Sequence, residues 1–112
     1  MTATTQQAKI AKAAEYGRAW GAGVAGHDLY GLAAEDAPKV LALARRGELV
    51  EAMGHAIAER VTPRELARDL APRTRAELAA EMHAAMVAEW TRAYIARAVE
   101  IAERTLAGDI YA

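Results

Sequence analysis

The run TRAELAAEMHAAMVAEWTRAYIARAVEIAERTLAG, residues 74–108, holds no proline, and its only glycine is the last residue. Ala, Leu, Glu and Arg, all strong helix formers, supply most of it. Thr74-Arg75-Ala76-Glu77 spells a capping box at its start, and Gly108 suits a left-handed residue at its end. The reading is one continuous helix over about 74–107. At 1.5 Å per residue such a helix spans about 50 Å. In a chain of 112 residues it sets the frame that everything else must fit.

The preceding segments are shorter and also helical. A first helix is predicted over about 5–24, with Ile10, Ala13, Gly17, Trp20 and Val24 on one face. Gly21, Gly23, Gly26 and Gly31 then suggest a flexible connection. A second helix opens near Asp36 with Pro38 in its first turn and stops at Gly47. A third is predicted over 48–61, its apolar face made by Leu49, Val50, Met53, Ile57 and Val61. Thr62-Pro63-Arg64-Glu65 is another capping box, opening a short helix that ends near Leu70, before Pro72. β-branched residues are too scattered to alternate at period two. The expected fold is therefore all-α: a small bundle of four to five helices with a long C-terminal helix, forming a single helical domain over 1–112.

The long helix changes its apolar side. At 100° per residue, Leu78, Met82 and Met86 fall within about 80° of one another. Trp90, Tyr94, Ala98 and Ile101 centre on a direction roughly 150° away. Either short helices pack on both sides, or a second chain completes one half, or the helix kinks near 84–88, where no glycine or proline supports a kink. Alanine is abundant and large apolar side chains are sparse, so burial within one chain is modest against conformational entropy. A homodimer is the expectation.

A seven-residue phrase occurs twice in the chain. Ala14-Glu15-Tyr16-Gly17-Arg18-Ala19-Trp20 returns as Ala88-Glu89-Trp90-Thr91-Arg92-Ala93-Tyr94. Each copy places two aromatics four residues apart on one side of a helix. Two roles fit: a clamp in which the first and last helices meet through matching aromatic pairs, or an exposed binding surface. Trp, Tyr and Arg are the residues enriched at interface hot spots. Tyr16, Arg18, Trp20, Trp90, Arg92 and Tyr94, together with Leu78, Met82 and Met86, are accordingly the candidate interaction surface.

Composition excludes several classes. With no cysteine and no serine, disulfides, zinc–thiolate sites and Ser or Cys nucleophiles are absent. A net charge of −1 and an even charge distribution argue against a dedicated nucleic-acid or anionic-membrane binder. The longest charge-free run, 19–27, is far short of the ~20 apolar residues that a spanning helix needs. Residues 1–16 carry Lys9 and Lys12 without an apolar stretch, unlike a signal peptide, so the expected location is cytoplasmic.

Three motifs remain to be weighed. Gly21, Gly23 and Gly26 spell G-x-G-x-x-G, but that loop works between a strand and a helix, and here the preceding segment is helical. Glu51, His55 and Glu59 stand at i, i+4, i+8 of the predicted third helix, a stack able to hold a metal or a small ligand. Glu48 joins them opposite Leu49, Met53 and Ile57, so a solvated polar face is the preferred reading. Residues 62–87 invite comparison with a helix-turn-helix. Ala71-Pro72 stands in the turn, however, and Arg64, Arg68, Arg73 and Arg75 are balanced by Glu65, Asp69, Glu77 and Glu81. No catalytic, cofactor or metal residues are assigned. The functional expectation is a non-catalytic protein–protein interaction module, a dimeric inhibitor, adaptor or regulator whose partner is another protein. The alternative is a DNA-binding transcriptional regulator using 62–87.

Overall fold

In the computed structural model, which describes residues 2–108 and their side chains from residue 5 onward, the expected C-terminal helix is present and unbroken. The elements are α1 (Thr2–Asp28), α2 (Ala37–Arg45), α3 (Leu49–Ala52), α4 (Ile57–Arg60), α5 (Pro63–Leu70) and α6 (Ala76–Leu106). The fold is an all-α bundle, and no strand occurs among the described residues. The two ends of the expected 1–112 domain lie outside the described residues. No helix among those described is long and apolar enough to cross a membrane.

α6 is the spine, and each of the other helices packs against it. Its buried residues are Ala79, Met82, Met86, Trp90, Tyr94, Ala98, Ala102 and Thr105. Most are four apart, and each four-residue step turns the stripe by about 40°. What the sequence presents as two separate faces is thus one stripe that winds round the helix. Neighbours within the same chain cover it along its length. Of the three explanations for the change of side, packing by several helices of one chain is the one observed, along a single helix Ala76–Leu106.

α1 and α6 run in the same direction, because Gly17 lies against Met86 and Gly21 against Trp90. Ala13, Gly17, Gly21 and Ala25 form a four-residue ladder of small, buried residues on α1. A β-carbon at Gly21 would stand 2.2 Å from the Trp90 carbonyl oxygen, and one at Gly17 would stand 2.3 Å from that of Met86. Only glycine allows the two backbones this close. The packing explains why α1 continues to Asp28 instead of stopping at Val24. Helix propensity reads the glycines at 21, 23 and 26 as a break, but contact with α6 repays their cost. The expected flexible connection is helix as far as Asp28, and Gly31, at φ 77°, lies in the turn that follows.

Two parallel neighbours need a crossover, and 29–75 provides it through α2–α5. The expected third helix over 48–61 is two single turns, α3 and α4. Gly54, at φ 81°, ends α3 in the left-handed region, and the chain turns before α4 begins. At the start of α5 both bonds of the Thr62–Glu65 capping box form. Replacing Thr62 with alanine is expected to cost about 1 kcal/mol in a denaturant titration. The second expected box does not form. Arg75 is the N-cap of α6 with no side-chain hydrogen bond, and the Thr74 hydroxyl instead donates to the Ala71 carbonyl.

Candidate functional site

The two copies of the repeated phrase meet. Trp20 packs edge-on against Trp90 with ring centroids 6.1 Å apart. Trp90 and Tyr94 stack at 5.1 Å, and Tyr16 lies 5.7 Å from Trp20. The polar residues of the phrase join as well: Arg18 donates to Glu89 at 2.9 Å, and Arg92 reaches the other oxygen of the same carboxylate. The Arg18 hydrogen bond is the chief reason that the Glu89 carboxyl sits below its usual range. The phrase is a clamp between first and last helices. Its α6 half, Trp90 and Tyr94, is fully buried, whereas Tyr16 is 42% exposed.

Beneath the clamp lies a polar cluster drawn from three elements. The break at Gly54 turns His55 inward, where its Nε2 meets Asp28 Oδ2 at 2.7 Å. The Tyr94 hydroxyl donates to the same oxygen at 2.8 Å. The imidazole stands edge-on to both Trp90 and Tyr94, with centroids 5.3 Å from each. Burial pushes the Asp28 carboxyl up, but the hydrogen bonds from His55 and Tyr94, with the charges of His55 and His27, outweigh it and hold the group below its ordinary value. Burial, then the bond to Asp28, pushes the Tyr94 phenol well above its ordinary value, so it remains a donor. The Trp90 indole N–H is buried with no partner among the described residues.

These placements revise the expected sites. Glu51, His55 and Glu59 do not stack: the helix that would align them is broken at Gly54, both glutamates are exposed, and His55 is committed to Asp28. Among the described residues no three His, Cys, Asp or Glu side chains group as metal ligands. Of the candidate interaction surface, Met82, Met86, Trp90 and Tyr94 are fully buried. Leu78 and Trp20 are half-buried, which leaves Tyr16, Arg18 and Arg92 exposed. His83 is a packing residue whose Nε2 lies 2.6 Å from the Val61 carbonyl oxygen. Asp28 escaped the sequence reading because its partners are 27 and 66 positions away. Gly54, in mid-helix by periodicity, was the local signal for the inward turn of His55.

Besides a hollow lined by Gly54, His55, Ala56, Glu59 and Arg60 and another lined by Gln6, Arg75, Glu77, Leu78 and Glu81, the described residues form two further concave surfaces. One is the seam between α1 and α6, floored by Ala22, Ala93 and Ala96 and edged by Arg18, Glu89, Arg92, Arg97 and Glu100. The other is a groove of about 570 Å³ between α5 and the start of α6, lined in part by Arg64, Arg68 and Arg73. Neither brings a nucleophile together with an acid–base pair. In comparisons with known proteins, the chain matches no family model, no curated protein and no solved structure.

Proposed function

We propose that the chain is a non-catalytic protein-interaction module, acting in the cytoplasm as a dimeric inhibitor, adaptor or regulator of another protein. The observation that carries this reading is the α1–α6 seam. Its alanine floor lets another helix approach closely. Its edges carry the Arg18–Glu89–Arg92 and Arg97–Glu100 ion pairs, so the charges flanking the floor are already neutralised within the chain. A two-fold axis across that strip sets the alanine floor of one copy against that of the other, the same patch on both subunits that a symmetric dimer requires. Trp90, Tyr94 and His55, by contrast, are occupied inside the fold.

Light scattering at about 100 µM protein, well above a micromolar Kd, tests this reading. The unmodified chain is expected to be a dimer. Ala96→Glu, at an exposed position of the seam, is expected to be a monomer with unchanged helicity and melting temperature. A monomeric parent chain, or a variant that remains dimeric, contradicts the proposed face.

The DNA-binding alternative has one observation in its favour: α5 and the start of α6 form a helical hairpin whose groove gathers Arg64, Arg68 and Arg73. Retention on heparin above ~0.1–0.2 M salt would support it, and elution below that range would remove it.

A further inference from the structure

We propose that the groove between α5 and the first turn of α6 docks an acidic segment of a partner protein, with carboxylates on its arginine edges and an apolar side chain on its floor. The proposal adds a second surface to the interaction-module reading and rests on that reading.

The lining includes the buried Ala67 and Ala79 together with Pro63 and Pro72, an apolar floor. At about 570 Å³ the groove falls in the ~300–1,000 Å³ range of ligand pockets, room for a few side chains. Arg64 and Arg68 stand one turn apart on α5, and Arg73 comes from the turn that leads into α6. Arg64 and Arg73 have no carboxylate partner among the described residues. Arg68 has Asp69 at 3.4 Å, but both side chains are about two-thirds exposed, and such pairs hold weakly. Three guanidinium groups therefore surround one apolar floor with little internal neutralisation. Guanidinium groups favour carboxylates through paired, parallel hydrogen bonds.

Two further features favour an anionic occupant. The first turn of α6 has no side-chain cap, so its free N–H groups add partial positive charge beside the groove. Arg73 holds φ 71°, the only positive value at a non-glycine residue among those described. That backbone suits glycine and strains a residue with a β-carbon. The fold alone would be better served by glycine at 73, and the arginine supplies charge at the groove.

A protein segment fits better than a nucleic acid. Glu65, Asp69 and Glu77 lie in or beside the same hairpin and confine the positive charge to the groove itself, a patch long enough for a few carboxylates but not for an extended phosphate array, and an apolar floor offers nothing to a sugar–phosphate backbone. Carboxylates at every second position of an extended peptide stand about 6.6 Å apart on one face, close to the ~6 Å rise from Arg64 to Arg68, while the apolar side chains between them face the opposite way, toward the floor.

Fluorescence anisotropy with a labelled eight-residue peptide alternating Glu and Leu tests the proposal on the full chain. Controls are the same peptide with Gln for Glu, and a labelled DNA duplex. The acidic peptide is expected to bind at least tenfold tighter than the Gln peptide. Arg64→Gln combined with Arg73→Gly is expected to weaken it at least tenfold. Arg73→Gly alone should weaken it severalfold while the melting temperature stays equal or rises, an outcome that a structural role for Arg73 would reverse. Arg45→Gln, at the end of α2, should leave binding unchanged. Equal binding of the Gln peptide, undiminished binding by the double variant, or no binding of the acidic peptide overturns this docking site and leaves the seam standing. Preferential binding of the duplex overturns the protein-interaction reading itself.

Discussion

Gly21→Ala is expected to destabilise the protein by about 2–4 kcal/mol, lowering its melting temperature by roughly 10–20 °C. In an isolated helix the same change would stabilise by about 1 kcal/mol, because alanine has the higher helix propensity. Here the new β-carbon would stand 2.2 Å from the Trp90 carbonyl oxygen and 2.9 Å from the Trp90 Cα. These are backbone atoms of a long helix and cannot rotate away as a side chain would. α1 must lift from α6, and the Trp20–Trp90 edge contact, the Arg18–Glu89 pair and the Asp28–Tyr94 bond all depend on that distance. Gly23→Ala is the internal control. Nothing lies within 4 Å of a β-carbon at that position, so propensity alone acts and a gain of about 0.5–1 kcal/mol is expected. The two substitutions, two residues apart in one helix, should move thermal stability in opposite directions. Equal stability of the two variants would mean that α1 and α6 do not approach this closely.

Asp28→Ala is the second large effect, at about 3 kcal/mol in a denaturant titration, since hydrogen bonds to a charged group contribute about 1.5–3 kcal/mol each. One carboxylate oxygen serves both the Tyr94 hydroxyl and His55 Nε2, and its removal leaves two part-buried polar groups unpaired. Tyr94→Phe removes only one donor and should cost about 1 kcal/mol. The double variant should cost less than the sum of the two singles, because they share a bond. The pH dependence follows from the same cluster. The folded Asp28 carboxyl titrates below its ordinary 3.8, so the folded state binds this proton less readily than the unfolded chain. The Asp28 contribution is therefore present above about pH 4 and is lost as pH falls through the folded value. The Tyr94 phenol is shifted upward from 10.0, so its contribution is complete below about pH 10 and is lost as pH rises beyond it. Asp28→Asn should flatten the acid limb of a stability–pH curve. An unchanged acid limb would show that Asp28 is not held by these partners.

Much of the fold was legible because its signals are local. The uninterrupted α6 and the Thr62–Glu65 cap follow from composition and spacing within a few turns, and the two aromatic phrases stand out as matching copies, although their contact joins residues 71 positions apart. Where the structure departs from the sequence reading, a contact distant in sequence is the commonest cause, while the Thr74 box fails to a local bond with the Ala71 carbonyl. Gly21, Gly23 and Gly26 look like a breaker cluster until α6 lies against Gly21. The apolar spacing of Leu49, Met53, Ile57 and Val61 looks like one helix, yet Gly54 opens it and His55 finds a partner at Asp28. Met82 and Met86 look surplus on α6 because a stripe of four-residue spacing winds away from the direction of Trp90, and only the packed structure shows neighbours following it round. The site was less legible than the fold. The groove arginines were visible in sequence but balanced on paper by four carboxylates, and which charges face the apolar floor is decided by the turn at 71–75.

The Asp28–His55–Tyr94 cluster is spent inside the fold, and the proposed contact face is the bare flank of the α1–α6 pair. Amide NMR spectra recorded over a dilution series test that placement most directly. Concentration-dependent shifts confined to the seam around Ala22, Ala93 and Ala96 are the predicted result; shifts centred elsewhere, or none at all, would contradict it.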